Sequence, residues 1–165
     1  MKKTYSGSWK PKHPEKYNGN VDNIYYRSLW ERNAFRHLDK AKWVKWWNSE
    51  ETVIPYICST DRKAHRYFID LTIRTNSGRT LLVEIKPSAQ TKPPKRKKLT
   101  EALTYMKNTS KWKYANKFAE ERGYEFQIWT EKELEAMGIK TMTMKFKASK
   151  TKTGKRIWKS LKKKI

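Results

Sequence analysis

Asp70, Glu84 and Lys86 are the residues of this chain whose types and spacing could do chemistry. They flank Thr75-Asn76-Ser77-Gly78-Arg79, a turn cluster of the kind that closes a hairpin. With the turn centred on Ser77, antiparallel pairing opposes residues whose numbers sum to 154, and Asp70 and Glu84 satisfy that sum. Directly opposed side chains share a face, with Cβ atoms about 4.5–5.5 Å apart. Lys86, two residues past Glu84, falls on the same face by the period of a strand. The other face would carry Tyr67, Ile69, Leu71 and Ile73 against Leu81, Val83 and Ile85, an apolar surface that supports the register independently. Opposed carboxylates repel. A divalent cation between them reverses that sign, and Mg²⁺ characteristically takes one or two carboxylates together with waters and phosphate oxygens. A solvated surface network neutralised by Lys86 would also relieve the repulsion, and spacing alone leaves both readings open.

The elements that must position these residues follow from patterning. Asp22 or Asn23 can cap a helix running to about Lys40, with Tyr26, Leu29, Trp30, Phe35 and Leu38 as its apolar stripe. Trp43, Trp46 and Trp47 read as a short connection. Three strands are predicted at Thr52–Cys58, His65–Ile73 and Thr80–Lys86, the first an edge or bulged strand because of Pro55. After Pro87 comes a basic, proline-broken run, Lys92-Pro93-Pro94-Lys95-Arg96-Lys97-Lys98, then helical patterning through Leu99, Leu103 and Met106. A further helix from about Ser110 to Arg122 is closed by Gly123. Tyr124–Trp129 alternates as a strand, and Thr130-x-x-Glu133 is the capping box of a short helix ending near Gly138. These elements divide the chain into a polar N-terminal arm (1–20), one domain (21–139) and a basic tail (140–165) that holds eleven Lys or Arg and no acidic residue.

Composition narrows the partners. Thirty-nine Lys and Arg against 16 Asp and Glu leave a net charge of +23. Self-repulsion on that scale destabilises a compact chain, so a polyanionic partner is expected, nucleic acid first. The aromatic share of 13%, with eight Trp, argues against wholesale disorder. No apolar run approaches a membrane span and the N-terminus has no signal-peptide pattern, so a soluble intracellular protein is expected. Cys58 is the one cysteine, which excludes an internal disulfide and a cysteine-based zinc cluster, and it reads as buried filler. His13, His37 and His65 have no metal-ligand spacing. Trp46 and Trp47 are weak candidates for stacking on bases, with core packing the simpler reading.

Ile69-Asp70, thirteen intervening residues and Glu84-Ile85-Lys86 resemble the PD-(D/E)xK nuclease motif, with Glu31 on the preceding helix in the place of its further acid. The element order matches the restriction-endonuclease-like αβββαβ core, an α/β fold with a mixed sheet flanked by helices. More closely, Tyr25-Tyr26-Arg27-Ser28-Leu29-Trp30-Glu31, Ser49-Glu50-Glu51, His65-Arg66-Tyr67-Phe68-Ile69-Asp70 and Glu84-Ile85-Lys86-Pro87 with Gln90 resemble the head-completion nucleases of large tailed phages, relatives of TnsA-type transposon endonucleases. The resemblance runs from about Tyr17 to Gly138. It departs at Ile69, where the family motif has proline, a residue that is not a ligand.

That resemblance implies a DNA endonuclease using Mg²⁺, with Mn²⁺ as a substitute, held by Asp70, Glu84 and the backbone carbonyl of Ile85. Lys86 would orient the attacking water, Glu31 would complete the acidic cluster, and Gln90 would reach the site from the following turn. The bland reading of Glu31 is an i−4 ion pair with Arg27. Arg27, Arg66, Lys95, Arg96, Lys97, Lys98, Lys155 and Arg156 are the candidate phosphate contacts, positioning DNA without reading its sequence. The family further implies action in the host cell during head completion, with capsid or portal proteins as partners and an association with the virion. Two other functions fit the same residues: a non-catalytic DNA-binding virion protein with a nuclease-like fold, and a nuclease cutting transposon ends or junctions.

Overall fold

The computed structural model describes residues 5–95 and 98–141. In chain order its elements are β1 (Gly7–Trp9), β2 (Ile24–Tyr26), α1 (Leu29–Lys40), β3 (Val44–Asn48), β4 (Val53–Ile57), β5 (Ala64–Phe68), β6 (Leu71–Thr75), β7 (Thr80–Ile85), α2 (Leu99–Arg122), β8 (Glu125–Trp129) and α3 (Glu131–Ala136). Short 3-10 turns lie at Pro14–Lys16 and Ser88–Gln90. The central sheet has the order β3-β6-β7-β8, antiparallel except for the parallel pair β7/β8. This is the mixed sheet flanked by helices that the sequence implies.

Helices cover both faces. On one, Ala34, Phe35 and Leu38 of α1 and Leu134 of α3 pack against Trp47, Leu71, Ile73, Leu81, Val83 and Ile85. On the other, Ala115 and Ala119 of α2 close over Ile54, Tyr56, Cys58, Tyr67, Ile69 and Leu82. Part of the polar N-terminal stretch is woven into the first core: β1 pairs with β2, and Trp9 meets Phe35 and Trp47 edge-on.

Several expectations are corrected. The first helix begins at Leu29, not Asp22 or Asn23, because Ser28 caps it by accepting the Glu31 N–H (3.2 Å) while residues 24–26 pair with β1. Trp46 and Trp47 belong to strand β3, and Trp47 is wholly buried, which removes it as a base-stacking residue. Residues 99–122 form one helix rather than two, ended by Gly123 at φ +66°, a conformation that glycine adopts without strain. The predicted strand His65–Ile73 breaks at Ile69-Asp70. There the β4–β5 hairpin continues irregularly into the β3/β6 ladder through Ile69 N–H to Thr52 O (3.0 Å) and Glu50 N–H to Ile69 O (3.1 Å).

The break changes the faces. Tyr67 and Ile69 enter the α2-side core with Leu82, whereas Leu71 and Ile73 enter the α1-side core with Leu81, Val83 and Ile85. The single apolar face expected from alternation is therefore two half-faces on opposite sides of the sheet.

Candidate active site

Leu71 pairs with Val83, Thr72 with Leu82 and Ile73 with Leu81, which is the register derived from the turn. Continued by one residue, it sets Asp70 against Glu84 just past the ladder. Asp70 sits at the strand break, where its Oδ2 accepts the backbone N–H of Ile85 (2.7 Å). Glu84 is buried at 2% exposure in the middle of the fold. Its Oε2 accepts the hydroxyl of Tyr67 (2.6 Å), and its Oε1 lies 3.0 Å from Lys86 Nζ.

Glu31 joins this group from the first turn of α1. Its Oε2 accepts the Arg27 N–H (2.7 Å) and its Oε1 the Ser28 hydroxyl (2.9 Å), so a capping arrangement aims its carboxylate. The Arg27–Glu31 side-chain pair that was the alternative reading of Glu31 does not form. Arg27 instead makes a two-pronged contact with Glu50, Nε to Oε1 at 2.8 Å and Nη2 to Oε2 at 3.2 Å.

The electrostatics identify a local acidic centre in a strongly basic chain. Burial, reinforced by the charge of Glu84, holds the Asp70 carboxyl well above the ordinary carboxylate range, against the opposing pull of the Ile85 N–H and Lys86. Burial also raises Glu31, against its bonds from Arg27 and Ser28. Desolvation alone would push the Lys86 amine down, but the charges of Glu84 and Asp70 outweigh it and the amine stands above its usual value. Burial, then Glu84, drives the Tyr67 hydroxyl far up, which makes it a permanent neutral donor. Three carboxylates thus share one lysine, and at least one of them is held at the cost of its own charge. An oxygen-rich donor set short of positive charge suits a hard divalent cation of the Mg²⁺ class.

The remaining candidates are placed less centrally. Gln90 is exposed on the Ser88–Gln90 turn, lining a groove of about 690 Å³ together with Lys92, Lys95, Lys98 and Tyr105. Lys98 pairs loosely with Glu101 (3.5 Å). Arg66 is exposed and lies over the ring of Phe68 (5.0 Å). Arg96, Lys97, Lys155 and Arg156 lie outside the described residues.

Two groups were missed in the sequence. Tyr67 reaches Glu84 only because β5 and β6 face opposite ways, so no spacing rule could have found it. Cys58, Asp61 and His65 converge at the β4–β5 turn, their ligand atoms within 4.8 Å of one another. The pattern Cys-x₂-Asp-x₃-His was present in the sequence, but it becomes a cluster only when the turn closes; the exclusion read from a single cysteine and from the histidine spacing holds for clusters of several cysteines or histidines and not for this mixed set.

Comparison with known proteins agrees with the fold. Residues 42–131, from just before β3 to the start of α3, match the family described as TnsA-like endonuclease N terminal. The chain is also 42% identical to the head completion nuclease of Enterobacteria phage T4, across 82% of this chain and 97% of that protein. With a mixed sheet flanked by helices, a matched span that includes Asp70, Glu84 and Lys86, and a relative aligned over nearly its whole length, the chain belongs to the TnsA-like endonuclease family.

Proposed function

We propose that this protein is a Mg²⁺-dependent DNA endonuclease that hydrolyses phosphodiester bonds during phage head completion. The observation that carries the reading is the meeting of Asp70, Glu84 and Lys86 at the strand break, with Glu31 brought alongside by α1. In this reading Asp70, Glu84 and the Ile85 carbonyl hold the ion, with Mn²⁺ able to replace it, and Glu31 completes the acidic cluster. When bound, such an ion polarises a phosphoryl oxygen and lowers the pKa of water.

The chain's own groups do the rest. Lys86, whose ammonium is secured by Glu84 at 3.0 Å, orients the attacking water and offsets charge developing on the scissile phosphate. Tyr67 fixes the rotamer of Glu84 from behind through its 2.6 Å bond. Gln90, Lys95 and Lys98 offer polar and cationic groups to DNA along the groove that follows Lys86, and exposed Arg66 adds a further phosphate contact. The net charge of +23 supports DNA as the substrate and phosphate contacts as the main source of affinity. The head-completion role, and with it contact to capsid or portal proteins, rests on likeness to the T4 protein.

The test is incubation with linear, nicked and branched DNA in Mg²⁺ or EDTA. Cleavage in Mg²⁺ alone, lost in Asp70→Ala and Glu84→Ala while DNA binding persists, is expected. Undiminished cleavage by either variant would sink the site assignment. Binding without cleavage in every arm would identify a non-catalytic DNA-binding protein, and cutting confined to branched DNA would favour junction cleavage.

A further inference from the structure

We propose that Cys58, Asp61 and His65 form a second cation site, for a thiophilic divalent ion of the Zn²⁺ class, at the tip of the β4–β5 hairpin. The site is independent of the nuclease reading. It lies at the start of β5, whereas the acidic centre lies beyond the other end of that strand.

The donor set is the first argument. A thiol, a carboxylate and an imidazole are a mixed S, O, N set, which suits a borderline-soft ion and not Mg²⁺. Their ligand atoms already lie within 4.8 Å of one another. Tetrahedral bonds of about 2.0–2.3 Å set ligand atoms roughly 3.3–3.6 Å apart, so the approach needed is on the order of 1 Å.

The second argument is that the backbone of the tip is already fixed. Cys58 N–H bonds to Lys63 O (3.0 Å), and Arg62 N–H returns to Cys58 O (2.8 Å). Asp61 Oδ1 is held by the Lys63 N–H (3.0 Å), which leaves Oδ2 facing His65 Nε2 at 2.8 Å. The Tyr56 ring lies against the imidazole at 5.6 Å between centroids and limits its rotation. Ser59 ties the tip to α2 through Ser110, whose Oγ accepts the Ser59 N–H (3.2 Å) and lies 2.9 Å from the Ser59 hydroxyl.

The third argument is access. The thiol is buried at 1% exposure, while the Asp61 and His65 side chains are each 40% exposed. An ion can therefore enter from solvent, take its sulfur ligand from the protein side and keep a fourth position for water. Binding would release the thiol proton of Cys58 and any proton shared between His65 and Asp61 to solvent. Arg62 and Lys63 oppose the ion at long range; the thiolate and carboxylate answer them with two negative charges at bonding distance.

The experiment is a Co²⁺ titration of the full-length, reduced protein in excess Mg²⁺, which occupies the hard acidic centre. One equivalent should develop the near-ultraviolet thiolate-to-cobalt absorption, and Zn²⁺ should bleach it. Cys58→Ser should lose that band, and the surface variant His65→Gln should weaken Co²⁺ binding at least tenfold. Glu84→Gln should keep both. The proposal is overturned if the wild type shows no thiolate band, if the band survives Cys58→Ser, or if it disappears in Glu84→Gln.

Discussion

Tyr67→Phe removes a single oxygen, the one that donates to Glu84 Oε2 at 2.6 Å in a place where the Tyr67 ring is 2% exposed. The ring stays, so its contacts with Tyr56 and with the Lys111 amine (5.2 Å to the ring centre) survive, and no cavity larger than a hydroxyl opens. What changes is the solvation of a buried carboxylate, which would then keep Lys86 alone of these two partners. Hydrogen bonds to charged groups contribute about 1.5–3 kcal/mol, and this one is short and dry. For a chain of this size that corresponds to a fall in Tm of roughly 3–12 °C. The assay is thermal unfolding in EDTA, with Tyr5→Phe, at 59% exposure, as the control that should move by less than about 1 °C. Saturating Mg²⁺ should shrink the difference, because an ion at the centre supplies charge that the hydroxyl otherwise supplies as a dipole. A Tyr67→Phe variant as stable as wild type in EDTA would refute the view that this hydroxyl stabilises the buried Glu84 side chain.

Asp70→Asn should abolish cleavage yet leave the metal-free protein as stable as wild type or more so, since the fold holds that carboxyl against its charge; a clear fall in Tm in EDTA would contradict this. The pH dependence has a definite sign. A folded pKa above the unfolded value of about 3.9 means a penalty that is full above the folded pKa and gone below the unfolded one. Wild type should therefore gain stability relative to Asp70→Asn as pH falls through the raised Asp70 pKa in EDTA, and Mg²⁺ should flatten the difference; a difference independent of pH would count against it. Deleting residues 142–165 removes ten Lys or Arg, and should weaken DNA binding and flatten the slope of log K against log salt by about 0.9 for each phosphate that the segment neutralises. An unchanged slope would mean that it neutralises none.

What was legible in the sequence was local. The Asp70–Glu84 register follows from a turn and a period of two, and both are properties of neighbouring residues. The Thr130–Glu133 capping box and the glycine stop at Gly123 were legible for the same reason. The continuity of α2 was not. Its apolar residues Leu99, Leu103 and Met106 remain exposed, and the positions it buries are Asn108, Trp112, Ala115 and Ala119. A helix that packs through small and polar residues leaves little hydrophobic periodicity to read.

The sequence by itself determined the chemistry available: two carboxylates and a lysine at spacings that a hairpin brings together, with Glu31 added by family resemblance alone, in a chain charged for a polyanion. Only the tertiary structure decided which groups meet. The break at Ile69-Asp70 turns Tyr67 toward Glu84, and closure of the β4–β5 turn gathers Cys58, Asp61 and His65. A period of two holds only while a strand stays paired in one ladder. Where β5 leaves one partner and β6 joins another, pairing partners rather than residue spacing decide which way a side chain faces.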